Sequence, residues 1–189
     1  MQQMARRTRE ETKERSIFRE LGGWLLYILI IIGLTYLIIT FVGQRTRVSG
    51  SSMETTLSNG DNLIVDKLTY HFKEPKRYDI IVFPYKYEEN TYYIKRIIGL
   101  PGETVQIKNG SVYIDGEALK AENGLGDATI AGVAEYPVEL GEDEYFLLGD
   151  NRESSEDSRF SGIGNIKREN LIGRVWLRFQ PFSRLGFVR

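Results

Sequence analysis

From Leu21 to Val42 the chain runs 22 residues without a charged side chain. As a helix rising about 1.5 Å per residue, that stretch is about 33 Å long, against a hydrocarbon core of about 30 Å. Its central run LLYILIIIGLTYLIITFV is apolar on every side, so it does not read as an amphipathic surface helix. Buried core helices are rarely so long and so uniformly apolar. Trp24, Tyr27, Tyr36 and Phe41 stand where interfacial aromatics would lie. A removable secretory signal would have an apolar region of about 7–15 residues and a small-x-small cleavage site. Here the run ends in Thr40-Phe41-Val42-Gly43-Gln44-Arg45, which predicts a retained anchor. Arg6, Arg7, Arg9, Lys13, Arg15 and Arg19 precede the stretch, and only Arg45 and Arg47 follow closely. The flanking cations predict a cytoplasmic segment over 1–20, a transmembrane helix over 21–43 and an extracytoplasmic domain over 44–189.

That outer part has 146 residues, enough for one globular domain with its own core. The chain has no cysteine, which excludes disulfide frameworks, thiolate metal sites and cysteine nucleophiles together. A single histidine, His71, leaves no histidine-rich metal site and only one possible member for a Ser-His-Asp triad. Net charge is −1 with both signs interspersed, so nucleic acid is not an expected partner.

Beyond the apolar stretch the periodicity turns strand-like. Short β-branched or aromatic runs occupy Asn62–Lys67, Asp79–Phe83, Thr91–Gly99, Glu103–Ile107, Ser111–Ile114, Glu144–Leu148 and Leu171–Phe179, each bounded by turn residues. Lys108-Asn109-Gly110 between two of them predicts a type I′ hairpin, and Asp115-Gly116 a second turn. Residues 104–143 read as a smaller hairpin-and-loop subdomain. Within it, residues 120–135 are poor in large apolar groups and read as a surface loop. The expected class is mostly β behind an N-terminal transmembrane helix.

Three segments could carry chemistry. Ser49-Gly50-Ser51-Ser52-Met53 is locally no more than a turn. Tyr93-Ile94-Lys95-Arg96-Ile97 places a lysine inside an apolar run. Strand alternation sends Tyr93, Lys95 and Ile97 to one face and Ile94 and Arg96 to the other, and a lysine snorkelling from a strand edge would give the same pattern. Gly149-Asp150-Asn151-Arg152-Glu153-Ser154-Ser155-Glu156-Asp157-Ser158-Arg159 is dense in charges and hydroxyls, as a solvated loop with local side-chain caps also would be.

Taken together and in this order, the segments resemble the bacterial type I signal peptidases, in their single-span, Gram-positive-like form. The resembling residues are Ser52-Met53 with Leu57, Gly60-Asp61-Asn62-Leu63-Ile64-Val65, Lys95-Arg96-Ile97-Ile98-Gly99-Leu100-Pro101-Gly102-Glu103, and Gly149-Asp150-Asn151 with Ser155, Asp157, Ser158 and Arg159. The resemblance implies a membrane-bound serine endopeptidase with a β-rich catalytic domain, in which Ser52 is the nucleophile and Lys95 the general base. Ser155 would orient Lys95, and Gly50 would sit at the oxyanion position, where some members carry a serine. Arg96, Asp150, Asp157 and Arg159 would form a supporting shell, with Asp150 pairing Arg96. Val48, Leu57, Tyr93 and Ile94 would line shallow pockets for small substrate side chains. Thr55 stands where the family usually has proline. The implied partners are signal peptides of secreted preproteins, the lipid bilayer and the secretion translocon, with no cofactor and no metal. Two other readings of the residues stay open: a triad built on His71, and a membrane-anchored binding module without activity.

Ser52 follows Val42 by ten residues, which extend at most about 36 Å. The candidate nucleophile is thereby tethered close to the outer leaflet. Phe179, Phe182, Leu185 and Phe187, interleaved with Arg178, Arg184 and Arg189, would suit either an interfacial contact or a packed terminal strand.

Overall fold

The computed structural model describes residues 20–36, 43–120 and 127–188, and the chain divides into two units, Met1–Val42 and Gly43–Arg189. In the first unit, residues 20–36 form helix α1, whose apolar side chains are exposed, with Trp24 and Tyr27 in edge-to-face contact. Among the described residues no helix is long and apolar enough to cross a membrane. The expected span continues through 37–42, which lie outside the described residues, as do the cations of 6–19. Gly43, expected at the end of the span, instead opens a strand.

The second unit is mostly β, as its alternating runs predict. Strands β1 (Gly43–Arg47), β2 (Asn62–Asp66), β3 (Ile80–Pro84), β4 (Tyr92–Gly99), β9 (Glu144–Leu148), β10 (Ile166–Lys167), β11 (Gly173–Gln180) and β12 (Gly186–Phe187) form an eight-stranded sheet. Its order is β1-β2-β11-β3-β4-β9-β10, with β12 added to β11, and all its pairings are antiparallel. A second sheet, order β7-β6-β5-β8, comprises β5 (Thr104–Lys108), β6 (Ser111–Ile114), β7 (Glu117–Ala118) and β8 (Val138–Glu139). One short helix, α2, covers Thr69–Phe72.

The turns follow their residues. Lys108 pairs Ser111 across Asn109-Gly110, and both turn residues have positive φ (49° and 81°), the geometry a type I′ turn requires. The strand-forming runs appear where alternation puts them. The two-residue strands β7, β8, β10 and β12, and the polar β1, carry too little pattern to be read locally.

Three apolar clusters fill the interior. One, around Ile98, Val105, Ile107, Phe146 and Leu148, joins the two sheets; another gathers Val48, Met53, Leu57, Leu63, Val65 and Val82. The third packs Ile81, Phe83, Ile97, Tyr145 and Leu147. The loop expected over 120–135 is partly interior. Ala128 bridges Gly110, and Ala128 and Ala134 are fully buried in the first cluster. Gly132 lies so close to the Arg159 carbonyl that a Cβ there would sit 2.2 Å from its oxygen. Small residues read as surface in the sequence; here they allow close backbone approach. Residues 121–126 of that segment lie outside the described residues.

Candidate active site

β4 carries two basic side chains in succession, and the pleat sends them to opposite sides. Lys95 Nζ reaches Ser52 Oγ at 2.7 Å, 43 residues away in sequence. Ser52 stands just beyond Gly50, whose φ of +100° turns the chain between β1 and β2. Met53 and Leu57 anchor the following turn in the core. The Lys95 side chain is only 3% exposed and lies over the Tyr93 ring, its Nζ 5.3 Å from the ring centre. Burial pushes its pKa down to about 8, against the opposing pull of Asp157 and Glu156. Ser52 and Lys95 open into a cleft of about 370 Å³, walled by Arg47, Val48, Tyr93, Ile94, Ser154 and Glu156. The arrangement is a hydroxyl beside an amine whose charge burial disfavours, which is the condition for a lysine to accept that hydroxyl's proton.

Arg96, on the other face, donates to both carboxylate oxygens of Asp150 at 2.7 Å. It also reaches the Tyr78 carbonyl at 2.9 Å and Thr56 Oγ1 at 3.3 Å. Arg and Asp are both almost fully buried, so this pair rivets β4 to the loop after β9. Asp157 and Arg159 make a second buried fork, at 2.8 and 2.9 Å, and Asp157 also accepts the Gly149 N–H at 3.0 Å. Arg159 further binds the carbonyls of Ile130, Arg152 and Ser155. Asp150, Arg152, Ser155, Asp157, Ser158 and Arg159 of this segment are buried, which a wholly solvated loop would not show, while Glu153, Ser154 and Glu156 remain exposed.

Ser155, expected to orient Lys95, is buried, but its Oγ has no hydrogen-bond partner among the described residues. The hydroxyl instead packs against Gly149, where a Cβ would sit 2.2 Å from Ser155 Oγ and 2.5 Å from the Ser52 carbonyl oxygen. Leu57, expected in a substrate pocket, is fully buried in the core beneath Val48 and Met53 and does not line the cleft. Its aliphatic bulk supports the wall rather than forming it. Gly50 lines the cleft and donates its N–H to Asn59 Oδ1 at 3.3 Å. His71 lies exposed on α2 with Nδ1 against the Lys67 carbonyl, away from the cleft-lining residues. Among the described residues no group of three or more His, Cys, Asp or Glu side chains is arranged to hold a metal ion.

Asn151 carried no assigned role in the sequence. Its N–H donates to the Ser52 carbonyl at 3.0 Å and its amide to the Ser51 carbonyl at 3.2 Å, which fixes the backbone around Ser52 from outside. Glu156 and Arg47 also line the cleft, and no motif assigns them to it. Their only signal is position beside motif residues, and which side chains rim a cleft depends on the folded loop.

The chain matches the family described as "Signal peptidase, peptidase S26" over residues 21–180. It is 43% identical to a signal peptidase I of Leptolyngbya laminosa, over 78% of this chain and 73% of that one. It is 33% identical to signal peptidase I P of Bacillus subtilis subsp. natto, over 94% and 98%. A signal peptidase I of Bacillus licheniformis is 37% identical over 92% and 94%. The chain belongs to the signal peptidase family.

Proposed function

We propose that this protein is a serine endopeptidase that removes N-terminal signal peptides from exported preproteins after small-x-small motifs, with Ser52 and Lys95 as its dyad. The observation that carries the reading is the 2.7 Å contact between Ser52 Oγ and a buried amine whose pKa is lowered to about 8. Neutral Lys95 takes the Ser52 proton as Oγ attacks the scissile carbonyl, then passes it to the departing amine. Water next attacks the acyl-serine; Lys95 accepts its proton and returns one to Oγ. Among the described residues the Ser52 N–H has no acceptor, which leaves it available to the oxyanion. Val48, Tyr93 and Ile94 give the cleft the shallow apolar wall that small side chains fit. Arg96–Asp150 and Asp157–Arg159 support the dyad through the backbone, and the buried Ser155 hydroxyl lies against Gly149.

The charge-free stretch Leu21–Val42 anchors the enzyme in the cell membrane, with the amino terminus cytoplasmic and the catalytic domain outside. The bilayer and the secretion translocon are its surroundings there.

The test is cleavage, in detergent, of a preprotein bearing an Ala-x-Ala site. Ser52→Ala and Lys95→Ala are expected to abolish cutting and His71→Ala to retain it. Equal, negligible cutting by the wild type and Ser52→Ala would favour a binding module instead. Loss with His71→Ala and survival with Lys95→Ala would remove the dyad.

A further inference from the structure

We propose that Glu156 gives the cleft a charge preference, selecting a basic over an acidic side chain in the substrate segment beside the scissile bond. The inference deepens the reading above and rests on it.

Glu156 sits between Ser155 and Asp157, both buried, and the Asp157–Arg159 fork fixes the backbone on its carboxyl side. Its main chain is therefore held while its own side chain stands exposed on the cleft wall. There it accepts a single long hydrogen bond, 3.4 Å, from the Tyr93 hydroxyl across from it. A carboxylate has about four acceptor sites, so most of its capacity faces the cleft unused. The charged side chains lining the cleft are Arg47, Lys95 and Glu156. Lys95 must be neutral to act, and it is occupied by Ser52. Arg47 has a guanidinium nitrogen beside Gly60, which does not line the cleft. Glu156 is thus the one anionic group on the cleft wall among the described residues. Its field reaches the reacting centre: the Lys95 amine, lowered chiefly by burial, is pulled back by Asp157 and then by Glu156.

An extended substrate alternates its side chains. With small residues at the first and third positions before the cut facing the apolar wall, the intervening residue and the first residue after the cut face outward. A lysine or arginine there pairs with Glu156; a glutamate is repelled. Because the carboxylate is solvent-exposed, the preference is modest, about five-fold at low salt, and it shrinks as ionic strength rises.

The experiment uses the full-length enzyme in detergent and a preprotein set carrying Lys, Gln or Glu at each of those outward positions. The readout is the Lys-to-Glu ratio of kcat/KM within one enzyme variant, so a general loss of activity cancels. The expected result is a ratio of about five at one position or more, approaching one in Glu156→Gln, recovering in Glu156→Asp and inverting in Glu156→Lys. Salt at about 0.5 M should compress the wild-type ratio. A ratio near one at every position in the wild type, or the same ratio in Glu156→Gln, overturns the proposal. Failure of the underlying reading looks different: the wild type then cuts no substrate faster than Ser52→Ala does.

Discussion

Lys95 owes its chemistry to where its ammonium would have to sit. Desolvation favours the neutral amine, and the carboxylates of Asp157 and Glu156 restrain the effect, leaving a pKa of about 8. Activity should therefore rise with pH as the amine loses its proton, and kcat/KM should show an acid limb with an apparent pKa near 8. Lys95→Arg, which stays protonated, should remove that limb along with the activity. The same group links stability to pH. Its ordinary value is 10.5, so between about 8 and 10.5 the unfolded chain holds the proton more tightly than the folded one. Stability contributed by this residue must then increase with pH across that window and stay constant below it, and denaturant titrations of wild type against Lys95→Met should isolate the slope. Gly149 makes a sharper residue-scale case. Gly149→Ala would drive a methyl into Ser155 Oγ and the Ser52 carbonyl, so it should destabilise by about 1–3 kcal/mol and depress kcat together. Ser155→Ala removes an oxygen with no partner, and its thermal midpoint should stay close to wild type, whatever happens to the rate.

At the scale of elements, β4 does two jobs because a strand has two faces. Lys95 opens to the cleft while Arg96, one residue on, closes the buried pair with Asp150. Removing one partner strands the other charge in the interior. Asp150→Ala should therefore lose about 3–5 kcal/mol in urea denaturation, and adding Arg96→Met should recover part of it. The hairpin of β5 and β6 tests a local rule instead. Gly110 has φ of +81°, and a Cβ there would approach Asp127 Cβ at 3.1 Å. Gly110→Ala should cost about 1 kcal/mol or more.

At the scale of the whole molecule, the absence of cysteine allows a clean test of the proposed membrane arrangement. In intact cells, Glu142→Cys should react with a membrane-impermeant maleimide and Gln3→Cys should react only after lysis. The reverse pattern would invert the topology. The apolar stretch, the strand runs, the two Asx-Gly turns and the motifs around Ser52, Lys95 and Gly149 were legible because each depends on neighbours within about ten residues. The 2.7 Å meeting of Ser52 and Lys95 was available only through family resemblance, since no local pattern encodes a contact spanning 43 positions. The sheet order was not legible either. β11 inserts between β2 and β3, more than a hundred residues after β2 in sequence, and the two-residue strands exist only because longer ones offer them an edge. Local sequence was enough for the class of fold, because periodicity and turn chemistry act over a few bonds, while the candidate residues came from the order of the motifs. Only the folded chain shows that Leu57 supports the wall from within, that Ser155 Oγ has no partner among the described residues and that Glu156 faces the cleft. Burial and desolvation are properties of what surrounds a side chain, and those surroundings come from distant parts of the chain.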